Sequence, residues 1–131
     1  MKNSTIILFS LFLLASCVNS NSQQKGSIEN VDAKRFRELA EAGNGIVLDV
    51  RTPEEVAEGY IANAVVYDIY KDDFEKNVSK LDKSKEVYVY CRAGRRSLDA
   101  AAILQKKGFT KIYNLTEGIN EWNEAGYPLV K

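Results

Sequence analysis

Cys91 ends the apolar run Val87-Tyr88-Val89-Tyr90 and opens the loop Arg92-Ala93-Gly94-Arg95-Arg96, after which a helix-forming stretch starts at Ser97. This places a thiol at the carboxyl end of a strand, ringed by three arginines and facing a helix N-terminus. All three features favour a thiolate over a thiol. Such a sulfur is a nucleophile suited to an anionic target. The chain contains no histidine, which excludes a Cys-His dyad and any zinc site built with imidazole. Activation of Cys91 must therefore come from backbone amides, a helix end and arginines. No metal or organic cofactor is implied.

The six residues from Cys91 to Arg96 can turn successive N–H groups inward as a nest around the sulfur. The first turn of the following helix adds its unpaired amides to the same spot. Gly94 supplies the freedom for positive φ, and Ser97 is expected to be the helix N-cap. The segment Arg92, Ala93, Gly94, Arg95, Arg96 and Ser97 is thus the expected anion cradle. Arg92 and Arg96 are its expected side-chain contacts, and Arg95 points to solvent. A buried structural cysteine is the plain alternative, and three flanking arginines argue against it. A phosphatase loop is longer between cysteine and arginine than the four residues here. The shorter loop encloses a smaller cavity, which fits sulfane sulfur better than a phosphoryl group. A phosphatase also needs a carboxylic acid for its leaving oxygen; Glu54, Glu55 and Asp49 are the candidates, and two of them have structural work to do.

The elements that must position this loop can be read from apolar spacing. Asn30-Val31-Asp32 lead into a helix over residues 33–42, with Phe36, Leu39 and Ala40 on one face and Gly43 as its stop. Ile46 to Val50 has the length of a buried strand, interrupted by Asp49. An unpaired carboxylate there would be costly, so Asp49 is expected to pair with an arginine or with loop amides beneath the sulfur. Thr52-Pro53-Glu54-Glu55 combines a capping threonine, a proline at the first helical position and a glutamate that closes a capping box. Gly59 ends that short helix. Val65 to Ile69 reads as a strand, and Phe74, Val78 and Leu81 as a loosely amphipathic helix. Val87 to Tyr90 delivers Cys91. A helix over residues 98–107 turns Leu98, Ala101, Ala102 and Leu104 to the core, with Gly108 as cap. Ile112 to Leu115 is the last strand, and Ile119 and Trp122 mark a final short helix. Trp122, Tyr127 and Tyr113 are expected at the core edge. Strands alternating with helices predict an α/β domain, its central parallel sheet flanked by helices.

Lysines plus arginines equal aspartates plus glutamates at 18 each. That leaves no global basic field for nucleic acid, so the arginines after Cys91 are a local device. Met1-Lys2-Asn3 and the apolar run Ile6 to Ala15, broken only by Ser10, have the form of a secretory signal too short to span a bilayer. Leu14-Ala15-Ser16-Cys17 resembles a bacterial lipobox; the plainer reading is an ordinary signal with a chance cysteine. On the lipobox reading, residues 1–16 are removed and Cys17 is lipidated. Residues 17–27, rich in Asn, Ser and Gln, then form a flexible tether, and residues 28–131 form one domain. The domain is expected in the bacterial cell envelope, facing the periplasm or exterior and joined to a membrane only through the lipid. With two cysteines in the chain, a lipidated Cys17 leaves Cys91 as the only thiol. An unpaired thiol in a secreted protein suggests reactivity.

Four segments together resemble the rhodanese homology domain. They are Leu48-Asp49-Val50-Arg51-Thr52-Pro53-Glu54-Glu55, Glu58-Gly59-Tyr60-Ile61, Cys91 to Ser97, and Gly118-Ile119-Asn120-Glu121-Trp122 with Ala125-Gly126-Tyr127-Pro128. They occur in the family's order and spread over almost the whole of the chain beyond the tether. The resemblance implies a sulfurtransferase that carries a persulfide on Cys91, with thiosulfate or another small anionic donor and a thiol or cyanide as acceptor. A thioredoxin-like protein is a candidate acceptor. Arg51 resembles the family's recurrent arginine after the aspartate; it either adds positive field or makes a surface salt bridge. The rivals are a sulfur-carrier or redox-relay module acting on a protein partner, and a non-catalytic interaction module with an inert thiol. Where relatives often show His-Ile-Pro-Gly-Ala, this chain has Tyr60-Ile61-Ala62-Asn63-Ala64, a change at the pocket rim rather than in the chemistry.

Overall fold

This computed structural model describes residues 24–131; the signal-like run of residues 6–15 and Cys17 lie outside the described residues. The elements follow as β1 (Ser27–Val31), α1 (Ala33–Ala42), β2 (Gly45–Asp49), α2 (Pro53–Ala57), β3 (Val65–Val66), α3 (Phe74–Val78), β4 (Glu86–Tyr90), α4 (Arg95–Lys106), β5 (Lys111–Leu115) and α5 (Gly118–Glu124). The five strands form one parallel sheet in the order β1-β5-β4-β2-β3. In a parallel sheet every strand ends on the same edge. The turns after β2 and β4, with Arg51 and Cys91, are therefore neighbours although far apart in sequence.

Side chains alternate across the sheet, and β4 shows the consequence. Val87, Val89 and Cys91 belong to the core layer that contains Ala100, Ala101 and Leu104 of α4 and Phe74 and Val78 of α3. Tyr88 and Tyr90 point the other way, among Phe36 and Leu39 of α1 and Ile119 and Trp122 of α5. Phe36 meets Tyr88, Tyr90 and Trp122 edge-on, with ring centroids about 6 Å apart, a favoured aromatic geometry. Burial on both faces is why the central strands are nearly continuous apolar runs. Cys91 follows the same alternation, so strand register aims its sulfur at the α4 face.

Several sequence expectations change. β1 begins at Ser27, a residue assigned to the tether, and it pairs along its length with β5. Val65 to Ile69 keeps strand form only at Val65–Val66, although Tyr67 and Ile69 still donate their amides to Asp49 and Val50 carbonyls. Leu98 is 41% exposed and Ala102 is exposed, against the core positions expected for them. The buried face of α4 is Ser97, Ala100, Ala101 and Leu104, a clean i, i+3, i+4, i+7 stripe. No helix among the described residues is long and apolar enough to cross a membrane.

Candidate active site

The sulfur loop is held from three sides. Cys91 is 1% exposed, and the Gly94 N–H donates to its Sγ at 3.1 Å. Ser97 Oγ lies 3.3 Å from the same sulfur and donates to the Gly94 carbonyl at 3.1 Å. Gly94, at φ 98°, is itself the N-cap of α4. This corrects the placement of Ser97 as cap: the left-handed turn at Gly94 starts the helix earlier, and Ser97 sits inside its first turn. The first helical bond runs from Leu98 N to Gly94 O. The amides of Arg95, Arg96 and Ser97 therefore have no acceptor within the helix and are open to an anion beside the sulfur.

The other side of the loop is fixed by α5. Ile119 N donates to Cys91 O at 2.9 Å and Asn120 N to Arg92 O at 3.2 Å. Those bonds turn both carbonyls away from the sulfur, leaving the amide side of the loop to face it. Gly118 makes the approach possible, since an added Cβ would stand 2.5 Å from Cys91 O and from Arg92 O. The first turn of one helix thus orients the loop, and the first turn of another supplies donors to its contents.

The arginines divide as follows. Arg95 is exposed. Arg96 makes a bidentate pair with Glu55, both contacts at 2.7 Å, and lies 5.6 Å from the centre of the Tyr70 ring. Arg92 donates from Nε to the same carboxylate at 2.9 Å and approaches Glu58 at 3.8 Å. The two guanidiniums assigned from sequence to the substrate anion are both engaged by one glutamate. Glu55 also closes the expected capping box with Thr52. The hydrogen bonds from Arg96, then those from Arg92 and the Thr52 amide, hold its carboxyl far below the ordinary carboxylate range, against the opposing effect of burial. The same bonds raise the Arg96 guanidinium above its ordinary value. Sequence reasoning gave Glu55 a capping role and weighed it as a phosphatase acid, but did not give it these arginines as partners. The signal that could have exposed that pairing is the crowding of three arginines within five residues of loop, which calls for a counter-charge.

Asp49 and Arg51 form a buried ion pair on the α1 side of the sheet. Arg51 Nη2 reaches Asp49 Oδ2 at 2.8 Å, and Nε and the backbone amide reach Oδ1 at 3.0 Å. Of the two kinds of partner expected for Asp49, Arg51 supplies both, its guanidinium and its own turn amide. Arg51 is 2% exposed, so its ion pair is not a surface salt bridge, and the paired Asp49 carboxylate offsets the field of its guanidinium. Its Nη2 also donates to Gly59 O at 2.7 Å, which ties the end of β2 to the end of α2. Burial works against its charge, but the Asp49 contacts outweigh it and leave the guanidinium above its ordinary value. Burial first, and the Asp49 charge beside it, push the Tyr90 phenol far up; its oxygen accepts from Ile61 N at 3.0 Å. The pair is a brace, placed where it aligns α2 and so Glu55. A cleft of about 500 Å³ lies at the opposite end of the sheet among Lys25, Gln105 and Lys107, and no cysteine lines it.

Comparisons with known proteins agree with this fold. The family described as Rhodanese-like domain matches residues 32–125. A protein named sulfurtransferase from Allochromatium vinosum is 32% identical over 104 residues, covering 79% of this chain and 95% of its own length. A thiosulfate sulfurtransferase of Coxiella burnetii is 34% identical over 91 residues, covering 70% and 82%. The crystal structure of a rhodanese-related protein from Thermoplasma volcanium superposes with a TM-score of 0.69 at 31% identity, covering 78% of this chain and 97% of that one.

Proposed function

The chain belongs to the rhodanese-like domain family, and on that footing we propose that it moves sulfane sulfur from thiosulfate or a related donor to a thiol or cyanide through a persulfide on Cys91. The Cys91 thiolate attacks the outer sulfur of thiosulfate. A sulfur–sulfur bond forms to Cys91, the bond to the sulfonate sulfur breaks, and sulfite leaves with the electron pair. An acceptor thiolate, or cyanide, then attacks the outer sulfur of the persulfide. The Cys91 thiolate departs and the cycle closes with no net change in the protein.

One observation carries this reading: the Gly94 amide on Cys91 Sγ at 3.1 Å, at the head of a helix whose first-turn amides are free. Those donors are fixed before any substrate arrives, so a thiolate and then a terminal persulfide anion are stabilised without a general base. The lipobox-like Leu14-Ala15-Ser16-Cys17 supports a location as well: a domain tethered to a membrane of the bacterial cell envelope, with the sulfur loop facing periplasmic or exterior donors.

Intact mass after thiosulfate treatment tests the chemistry. The expected result is a gain of one sulfur atom, removable by reductant and absent in Cys91→Ser, with steady turnover to thiocyanate when cyanide is added. Sulfur transfer that persists in Cys91→Ser would remove Cys91 from the reaction. Loading without turnover would make the protein a carrier.

A further inference from the structure

We propose that Glu55 sets the donor specificity of the sulfur loop, acting as a built-in anion that occupies Arg92 and Arg96 and shifts the site from small dianions towards organic persulfides and polysulfides of low charge. This rests on the sulfurtransferase reading and names a substrate class within it.

The geometry is that of a competitor already seated. A sulfonate-bearing donor needs the forked guanidinium donors that recognise tetrahedral and planar oxyanions alike. On Arg96 that fork is filled by both oxygens of Glu55 at 2.7 Å, and Arg92 gives its Nε to the same group. Glu55 is only 14% exposed and Arg96 19%, so water screens this contact less than a surface pair. To take that same fork of Arg96, a dianion must displace a carboxylate that is also bonded by Thr52 N at 3.0 Å and Thr52 Oγ1 at 3.1 Å. The carboxylate is therefore anchored from its far side and does not swing away freely. Its charge also cancels one of the two guanidinium charges beside the loop.

The rim next to this pair is not built for a small, strongly hydrated anion either. Tyr70 is 68% exposed and stands over Arg96, so an apolar ring borders the position where a donor's remainder would lie. An organic group carrying sulfane sulfur gains contact with such a ring, whereas thiosulfate gains nothing. The fixed amides of the loop still receive the developing thiolate and persulfide, so Glu55 leaves the sulfur chemistry itself in place.

Glu55→Gln is the natural probe, because glutamine also closes a capping box and α2 keeps its start. The first measurement is alkylation of Cys91 in the full chain by anionic iodoacetate and by neutral iodoacetamide. Removing the carboxylate should raise the iodoacetate-to-iodoacetamide rate ratio by about three- to tenfold at low salt, with a steeper decline as salt is added. In parallel, kcat/KM for thiosulfate should rise by a similar factor, mainly through KM, while an uncharged organic trisulfide changes by about twofold or less. Glu55→Asp should restore the wild-type ratio in large part. Should Glu55→Gln fail to fold, Arg92→Gln carries the test in the other direction, since losing one guanidinium must lower the alkylation ratio. An unchanged ratio in either folded variant overturns the proposal. A raised ratio in a protein that loads no sulfur from any donor would leave the charge effect standing and sink the sulfurtransferase reading instead.

Discussion

The α-carbon of Gly94 packs against the carbonyl of Thr116 more closely than any side chain allows, and this contact seats the sulfur loop on the end of β5. The same residue turns at φ 98° and donates its amide to Cys91 Sγ. Backbone proximity, a left-handed turn and the hydrogen bond to the Cys91 sulfur thus coincide at one glycine.

Gly94→Ala should accordingly fail on two counts. A non-glycine residue in this φ region costs on the order of 1–3 kcal/mol, and the new methyl forces β5 and the loop apart. The expected outcome is a lower unfolding midpoint in denaturant together with at least about a tenfold loss in sulfur loading. Gly43→Ala, at a glycine that turns at φ 73° with nothing within 4 Å of an added Cβ, is the control: it carries the backbone strain alone and should load sulfur at close to the wild-type rate.

Asp49 and Arg51 make a different kind of prediction. Removing one partner of a buried pair strands the other charge, so Asp49→Leu alone or Arg51→Met alone should cost about 3–5 kcal/mol. Replacing both with apolar side chains of similar size, Asp49→Leu with Arg51→Met, should cost much less than the sum of the single changes. Denaturant unfolding of the four proteins measures the coupling. Additive losses would mean that Arg51 contributes through Gly59 and the end of α2 rather than through Asp49.

Much of this architecture was legible in the sequence because local signals and tertiary placement agreed. The bounds of α1 coincide with the stretch between Asp32 and Gly43, where Asp32 caps and Gly43 turns left-handed. The capping box at Thr52 and Glu55 is present as written. β1 was missed because Ser27, Glu29 and Asn30 are exposed and only Val31 is buried. It is an edge strand held by its backbone ladder to β5, which leaves no apolar rhythm. The face of α4 was misassigned because Ala100-Ala101-Ala102 fits several registers, and the buried stripe begins with a serine. The role of Glu55 was hidden for a topological reason: it is 37 and 41 residues from the arginines it binds. Only the parallel sheet, by gathering all strand ends on one edge, brings them together. Asn63 was noted as a departure at the rim, and it adopts φ 65°, a left-handed conformation that asparagine tolerates.

The N-terminal segment gives a prediction that does not depend on the sulfur chemistry. A lipidated Cys17 would carry two acyl chains, enough for stable anchoring where one chain is marginal. Full-length protein expressed in a bacterial host should then fractionate with membranes and begin at Cys17 by mass. Cys17→Ala should remain unprocessed or move to the soluble fraction. Wild-type protein found wholly soluble, starting at another residue, would return the segment to an ordinary secretory signal.

Glu55 finally ties the site to acid stability. In the folded protein its carboxyl is held well below its ordinary 4.5 by Arg96 first, then by Arg92 and the Thr52 amide, with burial opposing. A group whose folded-state value is depressed contributes stability that is fully present above the unfolded value. That contribution is lost as pH falls through the window between the two values. The unfolded protein binds the proton first, from about pH 4.5 downward, and from there the stability contributed by the contacts with Arg92 and Arg96 falls progressively. Glu55→Gln has no such proton to bind. The stability difference between wild type and this variant should therefore be constant from neutral pH down to about 5 and shrink steadily below about 4.5. Denaturant midpoints for both proteins across that series give the curve. A difference that stays constant into strong acid would mean that the Glu55–Arg96 contact contributes nothing to stability through its charge.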